Sequence, residues 1–156
     1  MSRIRLNHPI FKQISASTFS FLIERSFLFK LMTNFGAYQE GLRAMNNIYF
    51  VLYGELHLSK KGAGDFGDPL VMGYTLGEEI LFSERQPVYR MESCIASAGE
   101  GTALLQVSVE EFIKMGTSRQ LRISRGASLV KDFKVLMGIL QDNYNLKQGW
   151  RQELDL

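Results

Sequence analysis

The residues best suited to chemistry lie in Thr75-Leu-Gly-Glu-Glu-Ile-Leu-Phe82 and, past a short loop, in Tyr89-Arg-Met-Glu-Ser-Cys-Ile-Ala96. Gly77 has no Cβ, so its backbone can take positive φ or lie against a bound group. If Glu78, Glu79, Ile80 and Leu81 open a helical turn after it, their amides point outward unpaired, and such a helix start attracts anions. Arg90 can close the site from the other side, because a planar guanidinium matches phosphate oxygens with parallel hydrogen bonds. The chemistry expected of these residues is the holding of a phosphate group.

Nothing else in the chain has catalytic spacing. His8 and His57 are far apart and do not form a metal-ligand pattern. Cys94 falls in mid-strand without a neighbour that would activate it, so a buried structural thiol is expected. The serines show no nucleophile elbow. Neither an enzyme nor a metal site is expected.

With 156 residues, 46% hydrophobic and 22% charged, the chain is long enough for one globular domain with a sizeable core. The 18 Lys and Arg against 16 Asp and Glu leave a net charge of +2, too little to draw nucleic acid by bulk electrostatics. The single cysteine excludes an internal disulfide and fits a reducing compartment. No stretch approaches the ~20 uninterrupted apolar residues of a spanning helix; the most hydrophobic run, Phe19 to Met32, is broken by Glu24, Arg25 and Lys30. The first 23 residues carry Arg3, Arg5 and Lys12, several serines and no acid, superficially like a mitochondrial transit peptide. His8-Pro-Ile-Phe11 followed by an apolar helix instead resembles the entry helices of barrel domains, which pack on the barrel.

The elements that must position these residues follow from periodicity. Residues 8 to 14 form a short helical start, and Ser15 or Ser17 caps a helix to about Arg25 whose Phe19, Leu22 and Ile23 recur at helical spacing. Phe27 to Met32 is the first strand, and Asn34 to Gly36 turns. Tyr38 to Gly41 and Ala44 to Asn47 form the second strand region and a turn. Ile48 to Leu58 alternates with period two around Gly54, a strand pair with one buried face. Lys60 to Asp68 is a flexible hairpin tip and Pro69 to Tyr74 a strand leading into the Gly77 turn. Cys94 to Ser97 continues a strand, Ala98 to Gly101 turns, and Thr102 to Val107 is the last strand. Ser108 and Glu111 form a capping box for a helix that Gly116 ends as its left-handed residue. Thr117 to Gly126 is a loop or a broken helix. Ala127 to Tyr144 is a helix with an apolar face at Leu129, Phe133, Leu136, Met137, Leu140 and Tyr144. Residues 146 to 156 form a tail, in which Trp150 either docks a partner or packs back.

Glu40-Gly41, Ile48-Tyr-Phe-Val-Leu-Tyr-Gly-Glu-Leu56, Leu76-Gly-Glu78, Arg90 and the strand into Phe112 stand in an order that resembles the cyclic nucleotide-binding domain family, over about residues 8 to 145. The resemblance implies an α+β, mainly β fold: a jelly-roll-like barrel of about eight antiparallel strands with helices at both ends, in a single domain over 1 to 156. It implies a ligand-binding set at Gly77, Glu78, Glu79, Ile80, Arg90, Met91, Glu92 and Ser93. Here Glu78 would hold the ribose hydroxyl and Arg90 would neutralise the phosphate, while the last helix acts as a lid.

The chain departs from the family pattern at Ile80, Met91 and Glu92, which place bulk or charge where small residues are usual. Glu92 at about 5 Å from a phosphate, at an effective dielectric near 20, would repel it by roughly 3 kcal/mol, about a hundredfold in affinity. Side chains two apart on a strand share a face, so Glu92, with Glu78, is expected to pair with Arg90 in place of the phosphate. Two functions remain open. One is a structural or interaction subunit of a larger protein assembly with a degenerate cassette and no cofactor, no nucleic-acid partner and no membrane. The other is a cAMP or cGMP sensor whose C-terminal helix relays binding. The wording around Leu76 to Ala96 is also similar to stand-alone domains of ciliated protists, which implies a cytoplasmic setting in a cilium or axoneme.

Overall fold

A computed structural model describes residues 2–97, 99 and 101–154. Among them eight strands form two four-stranded antiparallel sheets: β1 (Ser26–Leu31), β8 (Thr102–Ser108), β3 (Asn47–Tyr53) and β6 (Thr75–Leu76) in one, and β2 (Gly36–Tyr38), β7 (Ser93–Ala96), β4 (Leu56–Lys60) and β5 (Gly64–Leu70) in the other. The orders β1-β8-β3-β6 and β2-β7-β4-β5 are those of a jelly roll, as expected. Of the expected turn Ala98–Gly101, Ala98 and Glu100 lie outside the described residues, as do Asp155 and Leu156 of the tail and Met1.

The barrel interior is filled by Tyr49, Val51, Leu56, Leu58, Leu70, Cys94 and Leu104. Alternate residues of the same strands, Ile48, Phe50, Leu105 and Val107, face the other way, against Phe11, Phe21, Leu22, Phe112 and Leu136 of the helices. The period-two pattern therefore marks a strand buried on both faces over Ile48 to Val51, not one. Helices cover the outer face of that sheet, so both sets of side chains leave water.

The N-terminal segment is part of this packing. After α1 (Ser2–Asn7), His8 donates from Nε2 to the Val51 carbonyl at 2.8 Å while its Nδ1 accepts from the Ile10 amide at 3.1 Å. These two bonds fix a neutral tautomer, and burial holds its pKa below the ordinary histidine value. A single 3-10 turn, Phe11–Gln13, follows, and then α2 (Ala16–Glu24), whose N-cap is Ser15 rather than Ser17. Asp132 accepts from both the Ser15 hydroxyl and its amide, at 2.8 and 3.1 Å, which ties α2 to the last helix.

Several local expectations change, and one open alternative is settled; the second strand spans Gly36–Tyr38 rather than starting at Tyr38. The hairpin tip shrinks to residues 61–63 because β5 starts at Gly64, where Gly64 and Gly67 take φ of +76° and +71° within the strand. The strand expected over Pro69 to Tyr74 ends at Leu70, and Tyr74 turns back by donating to the Val71 carbonyl. Gly116 does not cap a helix: it lies inside α4 (Val109–Thr117), where a Cβ would run into the Phe133 ring. Thr117 to Gly126 is the broken-helix alternative, with α5 (Arg119–Arg125) started by Ser118, which accepts from the Leu121 amide. Gly126, at φ +84°, then separates it from the final helix.

That final helix, α6 (Ala127–Leu154), runs ten residues past Tyr144 and absorbs the described part of the expected tail. Its buried stripe is Leu129, Asp132, Leu136, Leu140, Asn143, Lys147 and Arg151, spaced three or four apart throughout. Trp150 packs back, lying where a Cβ on Gly67 of β5 would be. No helix among the described residues is long and apolar enough to cross a membrane.

Candidate functional site

Gly77 follows β6 at φ +76° and leads into α3 (Glu79–Phe82), the single turn expected there. A Cβ on Gly77 would sit 3.0 Å from the Asn47 carbonyl and 3.3 Å from Arg90 Nη2, so glycine lets the guanidinium lie on the turn. The amides do not all point outward: Ile80 donates to the Gly77 carbonyl at 3.3 Å and Leu81 to that of Glu78 at 2.9 Å. A four-residue helix satisfies these donors within its own turn.

Arg90 reaches this place from the connection that follows α3. The Arg90 amide donates to Leu42 and its carbonyl accepts from Gly41, while Val88 accepts from the Ala44 amide. This pairing with residues 41–44 makes Tyr89 and Met91 face outward, at 56% and 52% exposed, and buries Arg90 at 3%. The register of Arg90 is thereby set. Its guanidinium lies 4.4 Å above the centre of the Tyr38 ring.

The carboxylate that meets Arg90 is Glu79, with Oε1 2.5 Å from Nη1. Glu92 and Glu78 take other partners, contrary to expectation. The strand does not begin until Ser93, and residues 91–92 form a bend, so the two-residue alternation that would align Glu92 with Arg90 does not apply. Glu92 is held instead by Arg151 in a two-point pair, Nε to Oε2 at 3.0 Å and Nη2 to Oε1 at 2.5 Å. Glu78 Oε1 accepts from Lys147 Nζ at 2.6 Å, and the same ammonium donates to the Thr75 carbonyl. Asn143 Oδ1 accepts from the Thr75 amide at 3.1 Å.

Three carboxylates and three cations, all below 9% exposed, thus neutralise one another beneath the end of α6. Burial raises the Glu78 carboxyl above its ordinary range even with Lys147 against it. Burial also pushes Glu79 upward, but Arg90, Arg151 and Lys147 together outweigh it and hold Glu79 below the usual carboxylate range. Glu78 Oε2, Thr75 Oγ1 and the Tyr38 hydroxyl are buried without a hydrogen-bond partner among the described residues. Burial, with Cys94 and Glu79 nearby, sends the Tyr38 phenol well above its ordinary value. The Cys94 thiol is likewise pushed up by burial and is inert by that measure.

The remaining expected site residues are dispersed. Ile80 packs on the helix side of the core, Met91 faces solvent, and Ser93 Oγ accepts from the Glu40 amide at 2.9 Å. Bulk at Ile80 and Met91 therefore does not occupy the space beside Gly77. A cavity of about 330 Å³ lies beside the ion pairs, lined by Glu79 and Arg151 together with Pro87, Tyr89, Met91 and Tyr144. Asn143, Lys147 and Arg151 were not expected at the site. The apolar stripe of α6 gives way after Leu140, but its three- and four-residue spacing continues through these polar positions, which is the signal that could have placed them. Among the described residues no group of three or more His, Cys, Asp or Glu could hold a metal ion.

No known family's sequence model matches the chain, and no curated protein matches it. Solved structures do. A protein of Geobacter metallireducens superposes with a TM-score of 0.65 at 16% identity, over 92% of this chain and 93% of that one. A cyclic nucleotide-binding domain from Methylobacillus flagellatus gives 0.63 at 18% identity, over 92% and 75%. The N-terminal domain of a transcriptional regulator from Streptomyces coelicolor gives 0.63 at 15%, over 93% and 94%. The fold of this chain is that of the cyclic nucleotide-binding domain structures.

Proposed function

We propose that this chain is a non-catalytic module, one domain over residues 1 to 156, that keeps the cyclic nucleotide-binding fold as an interaction subunit of a larger protein assembly. In this reading the phosphate cassette around Gly77, Glu78, Glu79 and Arg90 is degenerate. A cytoplasmic complex, in a cilium or axoneme, is the setting that the sequence resemblance implies.

The observation that supports the reading is the occupancy of Arg90. Its guanidinium lies on Gly77, where an anion would be met, and is already paired with Glu79 at 2.5 Å. A phosphodiester entering there would have to displace a buried carboxylate from the guanidinium that hydrogen-bonds it. Breaking such a pair on one side costs about 3–5 kcal/mol, roughly two to three and a half decades of affinity.

The sensor alternative, with cAMP or cGMP as ligand, has one observation in its favour: α6 crosses the cassette through Asn143, Lys147 and Arg151, so a ligand that displaced these residues would move the helix. Thermal unfolding with each cyclic nucleotide separates the two. A ligand at a hundred times its dissociation constant stabilises the native state by about 2.7 kcal/mol. An unchanged midpoint at millimolar nucleotide supports the assembly reading, and a raised midpoint supports the sensor.

A further inference from the structure

Charge is distributed unevenly along this chain. Between Phe112 and Lys131 it carries Lys114, Arg119, Arg122, Arg125 and Lys131 and no acid, which leaves 13 Lys and Arg against 16 Asp and Glu elsewhere. The fold gathers this segment at the junction of α4, α5 and the start of α6, the end of the helix opposite the ion-pair cluster. The turn at Gly126 splays α5 from α6 and leaves an open groove of about 630 Å³. Gly116, Ala127 and Val130 line it together with Arg122, Lys131 and Lys134.

The cations differ in their state. Lys114 pairs with Glu110 and Glu111, and Arg125 with Glu24. Arg119, Arg122, Lys131 and Lys134 are exposed and have no ion-pair partner among the described residues. Ile123, beside Arg122, is 75% exposed. A lining of small and apolar residues together with unpaired cations matches a helix that offers aliphatic side chains on one face and carboxylates along its flanks. Nucleic acid fits less well, since phosphate backbones are engaged by a broader cationic footprint of roughly 6–10 contacts. A bilayer would need a wider apolar surface than Ile123 supplies.

We propose that the α5–α6 groove docks an acidic amphipathic helix of a partner protein. The inference builds on the reading of the chain as an interaction module, but is independent of whether nucleotide binds at Gly77. The probe is a synthetic fluorescent peptide with Leu on one helix face and Glu on its flanks, titrated against the full chain at low and physiological salt. Its comparison is the same peptide with Gln for Glu. The expected result is saturable binding of the Glu peptide that weakens with salt and falls at least about tenfold in the Arg122→Gln/Lys131→Gln/Lys134→Gln variant, with an unchanged melting temperature. Should that variant unfold, Lys134→Glu alone is the substitute, with a smaller loss in the same direction. Absence of binding, equal binding of the Gln peptide, or equal binding by the variant overturns the proposal. So does tighter, groove-dependent binding of duplex DNA or of phosphatidylserine vesicles. Stabilisation by a cyclic nucleotide in parallel would sink the closed-cassette reading and leave the groove result standing.

Discussion

Lys147 Nζ lies 2.6 Å from Glu78 Oε1, although the two residues are 69 positions apart. Together with Arg151 on Glu92 and Asn143 on the Thr75 amide, this pair seats the last turns of α6 in the mouth of the barrel. A helix end that carries cations to two buried acids, Glu78 and Glu92, is a different object from an apolar lid: the acids need it to stay.

Lys147→Met is therefore expected to destabilise the chain by about 3–5 kcal/mol, because it leaves Glu78 buried without a countercharge. The deficit should shrink as the pH falls. Burial already holds the Glu78 carboxyl above its ordinary range, so in the variant it takes up a proton in the folded state before it does in the unfolded one. Urea unfolding at several pH values measures this. Glu78→Gln added to Lys147→Met is expected to restore part of the loss, since neither partner is then charged.

His8 supplies a second pH dependence of opposite sense. Its folded-state pKa lies below the ordinary histidine value because burial disfavours the charged ring. The unfolded chain then binds a proton that the folded chain refuses, so stability is lost as the pH drops below about 6.5, with a slope of up to about 1.4 kcal/mol per pH unit. Urea midpoints between pH 7 and 5 should show this slope in the native chain and lose it in His8→Gln.

Two glycines in helices should respond in opposite directions to alanine. Gly116→Ala drives a methyl into the Phe133 ring and is expected to cost about 1–3 kcal/mol. Gly138, in mid-α6 with nothing within 4 Å of an added Cβ, should gain up to about 1 kcal/mol from the same change. Thermal midpoints of the two variants decide it.

The legibility of the sequence follows the same division. The barrel could be read from the order of motifs, in which the strand-forming run Ile48 to Tyr53 resumes at Leu56 and Leu58 past Gly54 and Gly77 supplies the positive φ that its turn requires. Capping serines were visible too, although Glu111 does not close its box: its side chain goes to Lys114 and Arg25. That Arg90 would meet a carboxylate was also legible, but which one was not. The choice of Glu79 over Glu92 depends on the bend at residues 91–92 and on Arg151 arriving from 59 positions away, and neither has a local signature. Gly116 misled for a related reason. Its role is the space it leaves for Phe133, a contact between helices, and not a backbone conformation.

The central claim is that the Glu79 carboxylate occupies the role of a phosphate on Arg90. The measurement that tests it most directly is the melting temperature of the native chain and of Glu79→Ala, each with and without millimolar phosphate, cAMP or cGMP. The native chain is expected to be indifferent to all three. The variant, with Arg90 left buried and uncompensated, is expected to lose about 3–5 kcal/mol and to recover part of it with added anion. A native chain stabilised by cyclic nucleotide, or a variant that no anion restores, would contradict the claim.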